Sequence, residues 1–204
     1  MIAVADFEDY LGEDEFIEVS HQDVRALAGE LRSRSGDDVA FARATFEWVR
    51  DRVGHSYDVA DPRVTLTATE VLEHRVGLCY AKSHLLTALL RAEGLPTGLC
   101  YQRLVHGPGH VLHGLVAIHL DGAWHRQDPR GNNPEVDAQF SLGRERLAWQ
   151  ADTASGEVDY PQIFASPAPC VVAALRGATD VLVLYGGGLP TGLDAPDGHP
   201  MPRT

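Results

Sequence analysis

Apolar positions recur at helical spacing through the first half of the chain. After Ser20-His21-Gln22-Asp23, where Ser20 is a suitable N-cap, Val24, Leu27, Ala28 and Leu31 fall on one helical face. Asp37 or Asp38 caps a second helix, whose Val39, Ala42, Phe46, Val49 and Val53 also share a face. Thr67-Ala68-Thr69-Glu70 is a capping box ahead of a short helix from Val71 to His74. A further helix starts at Cys79. Ala81, Leu85, Ala88, Leu89 and Ala92 give it one buried face, and Gly94 followed by Pro96 stops it. Ahead of these helices, residues 1–19 are acidic with scattered apolar positions, and Phe16 to Val19 is either a short strand or part of an arm lying on the domain.

After Pro96 the period changes to two. Leu99 to Val105 and Leu112 to Leu120 predict two strands joined by a turn at His106 to His110. Asp121-Gly122 is a strong hairpin signal leading into a third strand, Ala123 to Asp128. Helices followed by adjacent antiparallel strands define an α+β fold, with helices against one face of the sheet. Beyond Asn132 the pattern weakens. Leu142 to Trp149 fits a strand or a short helix, while Pro167 to Leu175 and Asp180 to Leu184 fit two helices or a helix and a strand. Residues 1–188 are expected to form a single domain. Residues 189–204, rich in Gly, Pro, Asp and Thr, are expected to be a flexible tail.

Composition narrows the function. With 29 acidic against 17 basic residues the chain carries a net charge of −12 and has no basic cluster, which argues against a nucleic-acid partner. No apolar run is long enough to predict a membrane span, and the N-terminus lacks the basic start and apolar centre of a signal peptide. Three widely spaced cysteines make no disulfide framework, so a cytoplasmic location is expected. Ten histidines raise the question of zinc. His106, His110, His113, His119 and His125 nevertheless spread over both sheet faces and a loop, and no HExxH or paired CxxC motif occurs. No metal and no cofactor are expected.

Cys79 opens a buried helix, where free N–H groups and the helix dipole favour the thiolate, the reactive form of cysteine. Taken alone, a buried cysteine is as easily a small apolar core residue. Cys100 sits among apolar strand residues. Cys170, after Pro169 at another helix start, is the competing thiol. The Asp121-Gly122 hairpin supplies a register argument. If Leu120 faces Ala123, then His119 faces Trp124 and Leu115 faces Asp128, so His113 and Asp128 share a sheet face as diagonal neighbours about 7–8 Å apart at Cα. A carboxylate at Asp128 then orients the His113 imidazole. Together the three residues make a Cys-His-Asp set, in which His takes the thiol proton and later protonates the leaving amine.

Gly77-Leu78-Cys79-Tyr80-Ala81-Lys82-Ser83-His84 through Pro96 resembles the nucleophile segment of the transglutaminase-like superfamily. His113-Gly114-Leu115-Val116-Ala117-Ile118 resembles its histidine strand, and Gly122-Ala123-Trp124-His125-Arg126-Gln127-Asp128-Pro129 its aspartate segment. Phe46 to Val53 and Tyr57 resemble the lead-in helix, so the likeness runs over roughly residues 40–132. It implies a papain-like core with the nucleophile helix packed on an antiparallel sheet, and acyl transfer through a thioester at Cys79 with His113 and Asp128. The acyl group passes to water, as in a peptidase or amidase, or to an amine, as in a transglutaminase; a non-catalytic binding module on the same fold is the third reading. Animal members carry extra β domains and calcium sites, neither of which this sequence predicts, and an oxyanion-site tryptophan. Trp48 lies in a helix and fits the core at least as well, so the oxyanion donors are unassigned beyond the Cys79 backbone N–H. The loops Val53 to Leu66 and His106 to Val111 are the expected walls of an open cleft for an extended peptide or protein substrate, with hydrolysis as the outcome and basic substrates mildly favoured by the acidic surface.

Overall fold

A computed structural model describes residues 1–193. An extended N-terminal arm carries β1 (Ile2–Ala3) and a 3-10 turn (Phe7–Leu11). The helical half follows as α1 (Gln22–Ser33), α2 (Asp38–Arg52), β2 (Gly54–His55), α3 (Ala68–His74), β3 (Val76–Gly77) and α4 (Cys79–Ala92). Strands β4 (Thr97–His106), β5 (Gly109–Leu120) and β6 (Ala123–Gln127) form the sheet, and β7 (Val158–Asp159), β8 (Gln162–Ile163), α5 (Pro169–Gly177) and α6 (Val181–Tyr185) complete the described chain.

Local chemistry accounts for most of the helix boundaries. Asp37 caps α2 by accepting from the Ala40 N–H at 2.7 Å, and Thr67 with Glu70 forms the capping box of α3. The cap of α1 is His21, not Ser20: its Nδ1 accepts from the Asp23 N–H at 3.3 Å. Phe16 to Val19 is part of the arm and not a strand. Tyr10, Phe16 and Ile17 pin that arm to the core by burial.

The main sheet is antiparallel in the order β6-β5-β4-β7. Its register is the one the hairpin dictates: Leu120 pairs with Ala123, His119 with Trp124 and Val116 with Gln127. Asp121 and Gly122 take positive φ of 51° and 79°, the geometry a two-residue turn requires on this twist. The first hairpin is tighter than its sequence suggests. His106 pairs with Gly109, leaving only Gly107 and Pro108 as the turn. The fourth strand, β7, was not foreseen; it pairs Val158 and Asp159 with Arg103 and Gln102.

Helix α4 is the centre of the molecule. It packs against α1, α2 and α3 on one side and against β4 and β5 on the other. The expectation of a single buried face is therefore incomplete, because every residue from Cys79 to Arg91 is buried. Lys82, His84 and Arg91 bind backbone carbonyls, since a buried polar group without a partner is costly, while Ser83 Oγ and Thr87 Oγ1 have no partner. Lys82 Nζ donates to Val53 O and Arg50 O, and His84 Nδ1 meets Leu66 O at 2.7 Å. The Arg91 guanidinium donates to Thr97 O, Gly12 O and Ala165 O. Elsewhere, Leu142 to Trp149 is irregular, and the two segments after Pro167 are both helical. The expected tail starts with residues docked on the domain: Pro190 O accepts from the Leu112 N–H at 2.6 Å, and the Leu193 N–H donates to Tyr160 Oη at 3.3 Å. Residues 194–204 of that tail lie outside the described residues.

Candidate active site

The chain is brought to Cys79 by a short relay. Helix α3 ends at Arg75 with φ of 56°, and β3 then pairs in parallel with β2, setting Gly77 beside His55. A Cβ on Gly77 would stand 2.9 Å from Thr65 Oγ1 and 3.2 Å from the Ala81 Cβ, so the close approach needs glycine. Leu78 precedes α4 without any side-chain cap, and Cys79 is the first helical residue. The start of α4 rests on β5 at Gly114, where a Cβ would press to 2.8 Å from Tyr80 Cδ1. The Gly114 N–H donates to Cys79 Sγ at 3.4 Å.

His113, the preceding residue on β5, is buried, and its Nε2 stands 2.8 Å from Asp128 Oδ2. Asp128 is one residue past the end of β6. Its Oδ2 also accepts from the Ala148 N–H at 3.1 Å, and its Oδ1 accepts from the Arg130 N–H at 3.1 Å. The carboxylate is thus fixed by donors alone. With Nε2 committed to Asp128, Nδ1 is the His113 nitrogen left to exchange a proton with Cys79. Burial disfavours the imidazolium, but the charges and hydrogen bonds of Asp128 and Cys79 outweigh it and push His113 up to about 10. Asp128 is the counterpart: burial opposes its charge, yet His113 and the two backbone donors hold it below the usual carboxylate range. The structure therefore brings together all three residues picked out in the sequence.

A cavity of about 330 Å³ opens over these groups, lined among others by His55, Arg130, Trp149 and Tyr185. None of these four stood out in the sequence as a site residue. Trp149 sets its ring edge-on to His113 at 5.0 Å, and Arg130 lies over Trp149 at 5.3 Å while gripping Asp58 through both guanidinium nitrogens at 2.6 and 2.9 Å. Tyr185 stacks on Tyr57 at 4.3 Å and meets His55 edge-on at 6.0 Å. The available signal was the long polar loop after Val53, which does form a wall through His55. The 104–112 region forms the other, through Leu104, Val105, His106, Val111 and Leu112. Trp48 is not part of the cavity lining; Arg75 stacks on it at 4.4 Å. Among the described residues, no group of three or more His, Cys, Asp or Glu could hold a metal ion, and no helix is long and apolar enough to cross a membrane.

A helix-borne thiol over an antiparallel sheet, with an aspartate-bound imidazole on β5 of that sheet, is the arrangement of a papain-like fold. The model of the transglutaminase-like superfamily matches residues 25–129, just over half of the 204 residues, and the chain belongs to that superfamily. Among solved structures, a candidate cysteine protease from Cytophaga hutchinsonii superposes with a TM-score of 0.53 at 17% identity, over 62% of this chain and 42% of that one. The periplasmic domain of TgpA from Pseudomonas aeruginosa, bound to ethylmercury, gives a TM-score of 0.45 at 21% identity, over 59% of this chain and 46% of its own. The chain thus spans less than half the length of either. A search of curated protein sequences finds no match.

Proposed function

We propose that this protein carries out acyl transfer on amide bonds of peptide or protein substrates, with Cys79 as nucleophile, His113 as acid and base, and Asp128 as its orienter. The observation that supports this best is the His113 imidazole, hydrogen-bonded to Asp128 at 2.8 Å and carried on β5 next to Gly114, whose N–H meets Cys79 Sγ at 3.4 Å. His113 takes the proton of the Cys79 thiol, Cys79 Sγ attacks the carbonyl carbon and the C=O π electrons move onto oxygen. Collapse of the tetrahedral adduct re-forms the C=O and breaks the C–N bond. His113 gives its proton to the departing amine, leaving a thioester on Cys79 and a neutral imidazole. That imidazole then takes a proton from water, which adds to the thioester; collapse re-forms the C=O and breaks the C–S bond, His113 returning the proton to sulfur, which releases the carboxylic acid and the Cys79 thiol.

Hydrolysis is favoured over transamidation because the cavity wall includes Val105, His106 and Trp149, all solvent-exposed, so water reaches the thioester. The test is a peptide library incubated with and without a primary-amine tag. Free acid as the main product is expected, lost in both Cys79→Ala and His113→Ala to the same extent, since members of one catalytic unit are not additive. Tag incorporation at glutamine with little free acid would make the enzyme a transamidase. Full turnover by His113→Ala would discard the triad.

A further inference from the structure

The thiol, the base and the orienter leave one requirement of the proposed reaction unmet. The oxygen that becomes negative in the tetrahedral adduct needs donors aimed at it, and such donors are worth more in a desolvated site than in water. The first is the Cys79 N–H. It opens an α-helix that has no side-chain cap. A single backbone donor is a weak cradle, and the cavity offers a second.

His55 lines the same cavity as Cys79 and His113, and its side chain is only 3% exposed. Pairing of β2 with β3 fixes it beside Gly77, two residues before the nucleophile, and the Ser56 N–H donates to Gly77 O at 3.2 Å to hold that register. The ring is nevertheless unspent. Its buried Nδ1 has no hydrogen-bond partner, and Asp58 Oδ1, at 3.9 Å, is out of reach. Asp58 gives both oxygens to the Arg130 guanidinium, so it does not hold the His55 proton. A buried polar side chain left without a partner is the exception in folded proteins and calls for an explanation.

We propose that His55 is the side-chain oxyanion donor, its imidazole N–H pairing with the Cys79 backbone N–H on the acyl oxygen of the substrate. This rests on the acyl-transfer reading given above. The charge state suits the role. Burial, together with the Arg130 charge, pushes His55 down to about 3, so the ring is neutral at any working pH and does not compete with His113 as the acid. Its edge-on contact with Tyr185 and its place opposite Gly77 keep the ring fixed, which a preorganised donor requires.

The experiment separates the oxygen from the thiol. p-Nitrophenyl acetate acylates Cys79 through an oxyanion, whereas iodoacetamide alkylates the same sulfur by displacement at carbon with no charge developing on a carbonyl oxygen. In His55→Phe, which keeps an aromatic ring against Tyr185, acylation should fall by about 10²–10³ while alkylation at pH 7 changes by less than about threefold. His55→Gln, which returns an N–H donor, should recover part of the lost acylation, with alkylation again within about threefold of wild type. Equal acylation by wild type and His55→Phe would overturn the assignment and leave acyl transfer standing. A parallel fall in acylation and alkylation in both variants would also overturn it, marking His55 as packing only. A wild-type protein that is alkylated at Cys79 but releases no p-nitrophenol would remove the acyl-transfer reading, and the role of His55 with it.

Discussion

Replacing Asp128 by asparagine is the sharpest probe of the site, because all the groups bonded to its carboxylate are donors. His113 Nε2 and the Ala148 N–H meet Oδ2, and the Arg130 N–H meets Oδ1. An amide has one oxygen. Placed at Oδ2 it keeps two bonds and sets its NH2 against the Arg130 N–H; placed at Oδ1 it loses two. The first orientation is favoured by about one buried hydrogen bond, about 1–3 kcal/mol, so the Nε2–H tautomer of His113 is preserved. Where the aspartate of a triad becomes an amide that imposes the wrong tautomer, kcat drops about 10⁴-fold. Here a loss nearer 10²-fold is expected, on the order of half that barrier. The stranded Arg130 N–H should lower stability by about 1–3 kcal/mol and Tm by roughly 2–12 °C for a chain of this size.

The charge has its own signature. His113 is raised in the folded state, so the stability it contributes is complete below about pH 6.5 and is lost as pH rises through about 10. Lys82, which burial pushes down to about 7, acts in the opposite sense over that window. The difference between wild type and Asp128→Asn therefore isolates the pair, where the wild-type slope alone would not. Urea unfolding at intervals from pH 7 to pH 10 should give curves that converge as pH rises, at up to about 1.4 kcal/mol per pH unit. Parallel curves, or an Asp128→Asn protein as inactive as Cys79→Ala, would refute the reasoning.

Substoichiometric iodoacetamide near neutral pH should label Cys79 before the more exposed Cys170, because His113, next to the Gly114 N–H that meets the Cys79 sulfur, can take the thiol proton; Cys100, whose thiol burial pushes up to about 12, should react only on unfolding. Peptide mapping by mass spectrometry reads the order, and Cys170 first would move the active site to α5. At the acid end, burial holds His55 at about 3 and His84 at about 4 against about 6.5 unfolded, so both must stay neutral in the fold while the unfolded chain takes up protons. Stability should fall by about 3 kcal/mol from pH 7 to pH 5 after the opposing gain from His113, as measured by urea titration, and a flat profile would show those rings to be hydrated.

Much of the site was legible because it depends on short-range geometry. Asp121-Gly122 dictates the hairpin register, and that register alone puts His113 and Asp128 on one face within side-chain reach. The capping box at Thr67 and the glycines around Cys79 likewise act over a few residues. What escaped depends on groups far apart in sequence. Strand β7 is two residues long, too short for any period, and exists because the edge of β4 at Gln102 and Arg103 was open to it. Arg130, Trp149 and Tyr185 come from irregular segments and a short helix near the end of the chain, and they converge on the cavity through Asp58, His113 and Tyr57. Residues 189–193 open the stretch read as a tail rich in Gly, Pro, Asp and Thr, yet Pro190 and Leu193 find partners on β5 and at Tyr160.

The buried polar side chains of α4 explain how such scattered parts hold Cys79 in place. An amphipathic helix on the surface is fixed through one face. Helix α4 is enclosed, so it is also fixed by the polar side chains it carries inside. Lys82, one turn from Cys79, donates to Arg50 O and Val53 O, the carbonyls left open where α2 ends. Those residues run directly into Gly54-His55, whose pairing with Val76-Gly77 returns the chain to the start of α4. Lys82 and that ladder therefore close a loop in which Cys79 and His55 are each positioned relative to the other from two directions. Arg91 does the same at the far end, tying α4 to Gly12, Thr97 and Ala165. Hydrophobic packing alone would tolerate a small slide of the helix along its axis, whereas hydrogen bonds from Lys82 and Arg91 to fixed carbonyls at its two ends oppose it. The polar residues that break the expected apolar pattern of this helix are thus the ones that set where its first residue lies.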